Sequence, residues 1–218
     1  DARFAVIGLP CFVKAIRFAC KRIPLLKRRI RIVAGLVCGQ TKSRHFADYL
    51  AYKAGVDRRD VNSVVFRDKR RSAKANLFGM RITTDGGDEH AIPWVGAYSK
   101  AWVSGMFSPR ACAFCDDAFA ELADMSFMDA WLPEQIDDPK GANLIVCRTT
   151  ECNKLIQDAA RLGEIDVRPI DVSLVEESQA PVVEWKQRDL AWRRWIAERK
   201  GNPIPPLRVA SSRPPLWD

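Results

Sequence analysis

The sequence predicts an α/β fold, a mixed sheet with flanking helices in one main domain, with a helical C-terminal arm. Two observations carry that prediction. Short apolar runs alternate with amphipathic helical stretches along most of the chain. Two of those runs, residues 4–9 and 30–37, close on tetrapeptides of one form, Gly8-Leu9-Pro10-Cys11 and Gly35-Leu36-Val37-Cys38. Both runs read as buried strands, so Cys11 and Cys38 sit just past strand carboxyl ends, where open α/β sheets form their ligand crevices.

The elements follow in order. After Cys11, Val13, Ile16, Ala19 and Cys20 recur at helical spacing opposite Lys14, Arg17, Lys21 and Arg22, an amphipathic helix that ends before Pro24. After Cys38, Thr41 or Ser43 caps a helix running to Tyr52 and stopped by Gly55, and residues 63–66 form the next strand. Residues 77–83 and 89–94 alternate around Asp85-Gly86-Gly87-Asp88, a hairpin that lies over a ligand or edges the sheet. Residues 124–131 and 143–147 are short strands. The second passes through Arg148-Thr149-Thr150 into a helix over residues 151–162, stopped by Gly163. From residue 181, Val183, Trp185, Leu190, Trp192, Trp195 and Ile196 lie on a charged helix, followed by a Pro-rich tail from residue 203. Residues 1–180 are therefore the domain and 181–218 an arm that packs back on it or on a neighbour.

Composition limits the classes of function. At 218 residues and 47% hydrophobic, the chain can bury a core and is not disordered. The seven cysteines are an odd set without the dense spacing of a secreted scaffold. No signal peptide or membrane span is visible, and the setting reads as reducing and cytoplasmic. The chain opens on Asp1 in a segment that enters a strand at once, and reads as the later part of a longer polypeptide. Charge is divided: residues 1–47 carry 11 Lys and Arg against one acid, residues 111–180 five against 15. Nucleic acid is disfavoured, because no aromatics interleave with Lys21, Arg22, Lys27, Arg28, Arg29 and Arg31. An anionic cofactor, a docking surface, or a basic face meeting an acidic one within the chain explains the division better.

Cys112 and Cys115 form a Cys-x-x-Cys, which brings the placed cysteines to four. Four thiolates suit an iron-sulfur cluster or a structural zinc ion, and on residue type alone the two stand level. Cys20 and Cys147 read as core packing, and Cys152, in a first helical turn, as a tolerated small residue. His45 and His90 have nothing in sequence to make a triad. Glu134, Asp137 and Asp138 read as a solvated acidic loop. The strand-to-helix turn at Arg148, Thr149 and Thr150 suits a phosphate. No Gly-x-Gly-x-x-Gly fingerprint supports a nicotinamide site.

The ordered series Gly8-Leu9-Pro10-Cys11, Gly35-Leu36-Val37-Cys38-Gly39, Phe66-Arg67-Asp68-Lys69, Cys112-Ala113-Phe114-Cys115-Asp116, Ala123-Asp124-Met125-Ser126, Asp129-Ala130-Trp131 and Ile145-Val146-Cys147-Arg148-Thr149 resembles the C-terminal domain of the coenzyme F420 hydrogenase and dehydrogenase beta-subunit family. The resemblance covers about residues 4–172. It implies an iron-sulfur, FAD-dependent oxidoreductase subunit, with a 4Fe-4S cluster on Cys11, Cys38, Cys112 and Cys115. It further implies FAD contacts at Arg148, Thr149, Thr150 and Lys69, a redox partner protein, and a small-molecule electron donor or acceptor, with coenzyme F420 as a candidate. Where the family has a glycine before Asp129, this chain has Met128. The alternative is a non-enzymatic, zinc-stabilised interaction module using the same four thiols.

Overall fold

A computed structural model describes residues 2–70 and 72–207. In chain order the elements are β1 (Phe4–Gly8), α1 (Pro10–Arg22), α2 (Pro24–Arg29), β2 (Ile30–Leu36) and α3 (Arg44–Lys53). Next come β3 (Val61–Asp68), β4 (Gly79–Thr84), β5 (Glu89–Pro93), α4 (Ser99–Val103) and α5 (Arg110–Ala113). The remainder is β6 (Met125–Asp129), α6 (Pro133–Ile136), β7 (Asn143–Cys147), α7 (Thr150–Arg161), α8 (Val172–Val183) and α9 (Leu190–Arg199). The chain divides into two compact units, one of residues 1–39, 113–130 and 143–218, the other of 40–112 and 131–142. The boundary expected at residue 181 falls within α8, and the tail from residue 208 lies outside the described residues.

The first unit is built on a four-stranded mixed sheet in the order β1-β2-β6-β7. β1 and β6 run parallel to β2, whereas β7 runs antiparallel to β6. Gly8 pairs with Gly35, so the two Gly-x-x-Cys segments leave adjacent strands side by side. Each face of the sheet is covered. Val13 from α1 meets Val33, Ala120 and Ala123 on one side, and Cys152 from α7 meets Ala34 and Met125 on the other. Gly35 is required by close approach: a Cβ there would lie 2.3 Å from that of Ala120 and 3.1 Å from that of Ala123.

Two expectations need correction. β1 is not buried. It is an outer strand of the sheet, with Phe4 51% and Ile7 70% exposed, because only β2 pairs with it. The hairpin does not edge this sheet either. β4 and β5 pair antiparallel and join β3 in a separate three-stranded sheet in the second unit. Among the described residues no helix lies between β3 and β5, and the three antiparallel strands form a meander. α3 packs on it through Phe46, Leu50 and Ala51, against Met80, Ile82 and Ile92. Phe46 lies at the centre of a ring cluster with Phe66, Tyr98, Trp102 and Phe107.

The first unit is fastened at Asp124. Its carboxylate accepts the Val33 amide at 2.8 Å through one oxygen and the Arg17 guanidinium at 2.6 Å through the other. Its own amide donates to Val33 O, and its carbonyl accepts the Arg148 amide, both at 2.8 Å. One residue thus ties β2, α1 and the start of α7's turn together just before β6. Replacing it should leave a Val33 amide unpaired and Arg17 without its anion. Asp124→Ala should lower unfolding free energy by about 2–3 kcal/mol, read as a shift in the urea midpoint at unchanged slope.

Candidate thiolate site

Cys11 occupies the first turn of α1 and is exposed, and Cys38 follows β2 and is partly buried. Proline at the start of α1 needs no donor and presets the turn, so Pro10 starts the helix at once after the strand and fixes Cys11 there. The Cys38 amide donates to Ala118 O at 3.4 Å, and Cys115 Sγ lies 3.6 Å from Asp117 O. The two cysteines therefore flank one stretch of loop. Cys112, in α5, belongs to the second unit, and its amide donates to Pro109 O at 2.9 Å. None of the four is in a disulfide. Their donor chemistry suits a soft metal centre, but the side chains are not gathered: among the described residues no three His, Cys, Asp or Glu side chains form a group that could hold a metal ion.

Sequence reasoning missed two lysines that attend the Cys-x-x-Cys. Lys186, 2% exposed, donates to Cys115 Sγ at 3.1 Å and to Asp117 O at 2.7 Å. Lys42, in the second unit, has its ammonium within reach of Gln40 Oε1 and the carbonyls of Ala101, Trp102 and Met106, at 2.9–3.2 Å. Burial pulls the Lys42 pKa down, and the charge of Cys112 opposes that shift. Lys42 also lies over the rings of Trp102 and Phe46, at 5.2 and 5.5 Å. Its place four residues after Cys38 was a weak signal in sequence. Lys186 gave none.

At the expected phosphate turn, Arg148 is engaged by the loop that leads into β6. The Arg148 guanidinium donates to Phe119 O at 3.1 Å, Ser126 Oγ at 3.2 Å and Ala123 O at 3.5 Å. Burial lowers its pKa, against the opposing charges of Asp117 and Glu121. Ser126 is fully buried, which accounts for the Ala-Asp-x-Ser stretch: Asp124 secures the backbone and Ser126 receives Arg148. Thr149 caps α7, its Oγ1 accepting the Cys152 amide at 3.2 Å, and Thr150 is the first helical residue. Lys69 and Arg67 belong to the second unit. Lys69 reaches Pro139 O at 3.4 Å, and Arg67 stacks on Phe78 and Trp131 at 4.9 and 5.6 Å.

The remaining candidates resolve simply. Cys152 is 1% exposed in the core, and burial raises the pKa of Cys147, with the charge of Cys152 adding to it. Met128 is 5% exposed and packs in the interior. His45 pairs with Asp48 at 3.3 Å on the surface, and Asp137 with Lys74 at 2.6 Å. A cavity of about 670 Å³ in the second unit is lined by Phe78 and Trp94 and by an ion network of Arg70 and Arg81 with Asp68 and Glu89. It contains none of the cysteines. The divided charge is met in part within the first unit, where Arg17 pairs with Asp124 and Arg31 with Glu151 at 3.5 Å.

These features define an α/β protein that presents cysteine thiols at the carboxyl end of a mixed sheet. The chain belongs to the family formed by the C terminus of the coenzyme F420 hydrogenase/dehydrogenase beta subunit, whose profile matches residues 1–173. Among solved structures it is similar in fold, with a TM-score of 0.56 at 18% identity, to a chain of the xenon-derivatised F420-reducing NiFe hydrogenase complex from Methanosarcina barkeri. That match covers 93% of this chain and 65% of the other, so the present chain spans about two thirds of its relative. No curated protein matched. Among the described residues no helix is long and apolar enough to cross a membrane.

The Arg148 contacts generate a prediction that separates support from ligand binding. Arg148→Ala should cost about 1–2 kcal/mol in urea unfolding without any ligand present, through three carbonyl and hydroxyl acceptors left without their donor. An unchanged midpoint would show that these contacts do not hold the loop.

Proposed function

We propose that this protein is an iron-sulfur, FAD-dependent electron-transfer subunit of an oxidoreductase, with Cys11, Cys38, Cys112 and Cys115 as thiolate ligands of a 4Fe-4S cluster. The observation that carries the reading is the pairing of Gly8 with Gly35, which sets Cys11 and Cys38 at the ends of neighbouring parallel strands in a chain of this family. The cluster and flavin, when bound, supply one-electron and two-electron chemistry respectively, and the chain's part is to hold and tune them.

Each residue then has a task. Cys38 and Cys115 are steadied by the loop at Asp117 and Ala118, and Cys11 by the start of α1. Lys42, near Cys112, contributes positive charge that offsets the anionic thiolates. For the flavin, Arg148 holds the loop of residues 119–126 and also stands at the phosphate turn as a contact. Phosphate contact falls also to Thr149, Thr150 and the first turn of α7, with Lys69 as a further cation. The partners that suit this reading are a redox protein and a small-molecule hydride or electron carrier, with coenzyme F420 as the candidate on family grounds, and the setting is cytoplasmic.

The test is a serine series on anaerobically reconstituted protein. Replacing Cys11, Cys38, Cys112 or Cys115 by Ser should strip or convert the cluster, while Cys20→Ser, Cys147→Ser and Cys152→Ser should leave its visible absorbance intact. Full cluster absorbance in Cys38→Ser would remove the ligand assignment. Titration with FAD then tests the second cofactor independently of iron content.

A further inference from the structure

We infer that the open edge of β1 is an interaction surface for a second copy of this chain, which adds its segment 164–168 to the sheet as a further strand. Neither proposed cofactor takes part, and both surfaces belong to the first unit. β1 pairs with β2 on one side, and the backbone groups on its other side have no partner among the described residues. Natural sheets blunt such an edge with charge or proline, whereas β1 reads Phe-Ala-Val-Ile-Gly and has neither. The register shifts between Phe4 and Ala5, and residues 5–8 then pair regularly with β2. Phe12 of α1, close to Gly8, is 62% exposed and extends the apolar surface of the edge.

The matching strand is present in the chain without a sheet to hold it. Residues 164–168, Glu-Ile-Asp-Val-Arg, alternate charged and apolar with the period of a strand, yet they are exposed and lie in no regular element. Among the described residues, the backbone of 165–170 makes no hydrogen bond, so its donors and acceptors are open to a partner strand. Charge completes the match and sets its direction. Phe4 pairs with Ile30, directly after α2, so Arg3 lies at the same end of the strand as Lys27 and Arg28. None of these three has an ion-pair partner among the described residues, nor have Glu164 and Asp166. Added parallel to β1, the segment sets Glu164 and Asp166 beside the cations and Arg168 at the far end, whereas antiparallel addition sets Arg168 against Arg3. Main-chain pairing then gives the contact its affinity, and the alternate side chains give it selectivity.

The test is sedimentation velocity of the full chain over a concentration series, with hydrogen exchange on the same samples. Wild type should associate as concentration rises, with exchange slowed in peptides spanning residues 2–9 and 163–170. Raising salt from about 0.1 to about 1 M should weaken the association about tenfold, because screening shortens the reach of exposed charges. Arg3→Glu with Arg28→Glu makes the edge acidic like the segment, and Glu164→Lys with Asp166→Lys makes the segment basic like the edge. Each double variant alone should stay monomeric. An equimolar mixture of the two should associate again, since each variant's edge then meets a segment of opposite charge. All four positions are exposed, so native circular dichroism is expected throughout. Wild type that is monomeric at every concentration, assembly that survives both double variants, or a mixture that fails to associate would overturn the inference and leave the thiolate assignment untouched.

Discussion

The contacts of Asp124 hold the first unit in the arrangement on which its thiols depend. A parallel pair of strands has slanted hydrogen bonds and no tight turn to fix its register, so something else must lock β2 against β6. Asp124 does this with both its backbone and its side chain, giving and accepting hydrogen bonds with Val33 while its carboxylate also binds Arg17 of α1. Register then follows: Ala34 faces Met125, Gly35 faces Ser126 and Leu36 faces Phe127. Cys38 is brought beside the Ala118 carbonyl by the same seam. Gly35 completes it, since any side chain there would displace Ala120 from the sheet.

How much of this was legible in the sequence depends on the range of the interaction concerned. The repeated Gly-x-x-Cys and the apolar runs before it were local signals, and they led correctly to strands with cysteines just past their ends. The exposure of β1 was not local. Its composition is that of a buried strand, and only the strand order makes it an edge. The separate meander was hidden for a similar reason: alternation identifies strands but does not say which sheet receives them. Lys186 was beyond reach for a further reason. It is one of 35 Lys and Arg residues, in a helical stretch 71 positions from its sulfur partner.

Arg148 shows how a motif legible in sequence takes on contacts that are not. An arginine at a strand-to-helix turn suits a phosphate, and that reading used only its neighbours in sequence. Folding gives its guanidinium nearer acceptors on residues 119–126, so its charge organises the loop that leads into β6. The basic N-terminal segment behaves alike in part, with Arg17 and Arg31 turned toward carboxylates of the acidic second half. A charge census finds such complementarity without saying which pairs form it.

Whether four thiols of this chain hold an iron-sulfur cluster is tested most directly by Mössbauer spectroscopy with iron and labile-sulfide analysis on the anaerobically reconstituted full chain. The proposed ligand set predicts about four irons and about four sulfides per chain, with the spectrum of a single cubane cluster. A colourless protein with one tightly bound zinc and no sulfide would contradict it.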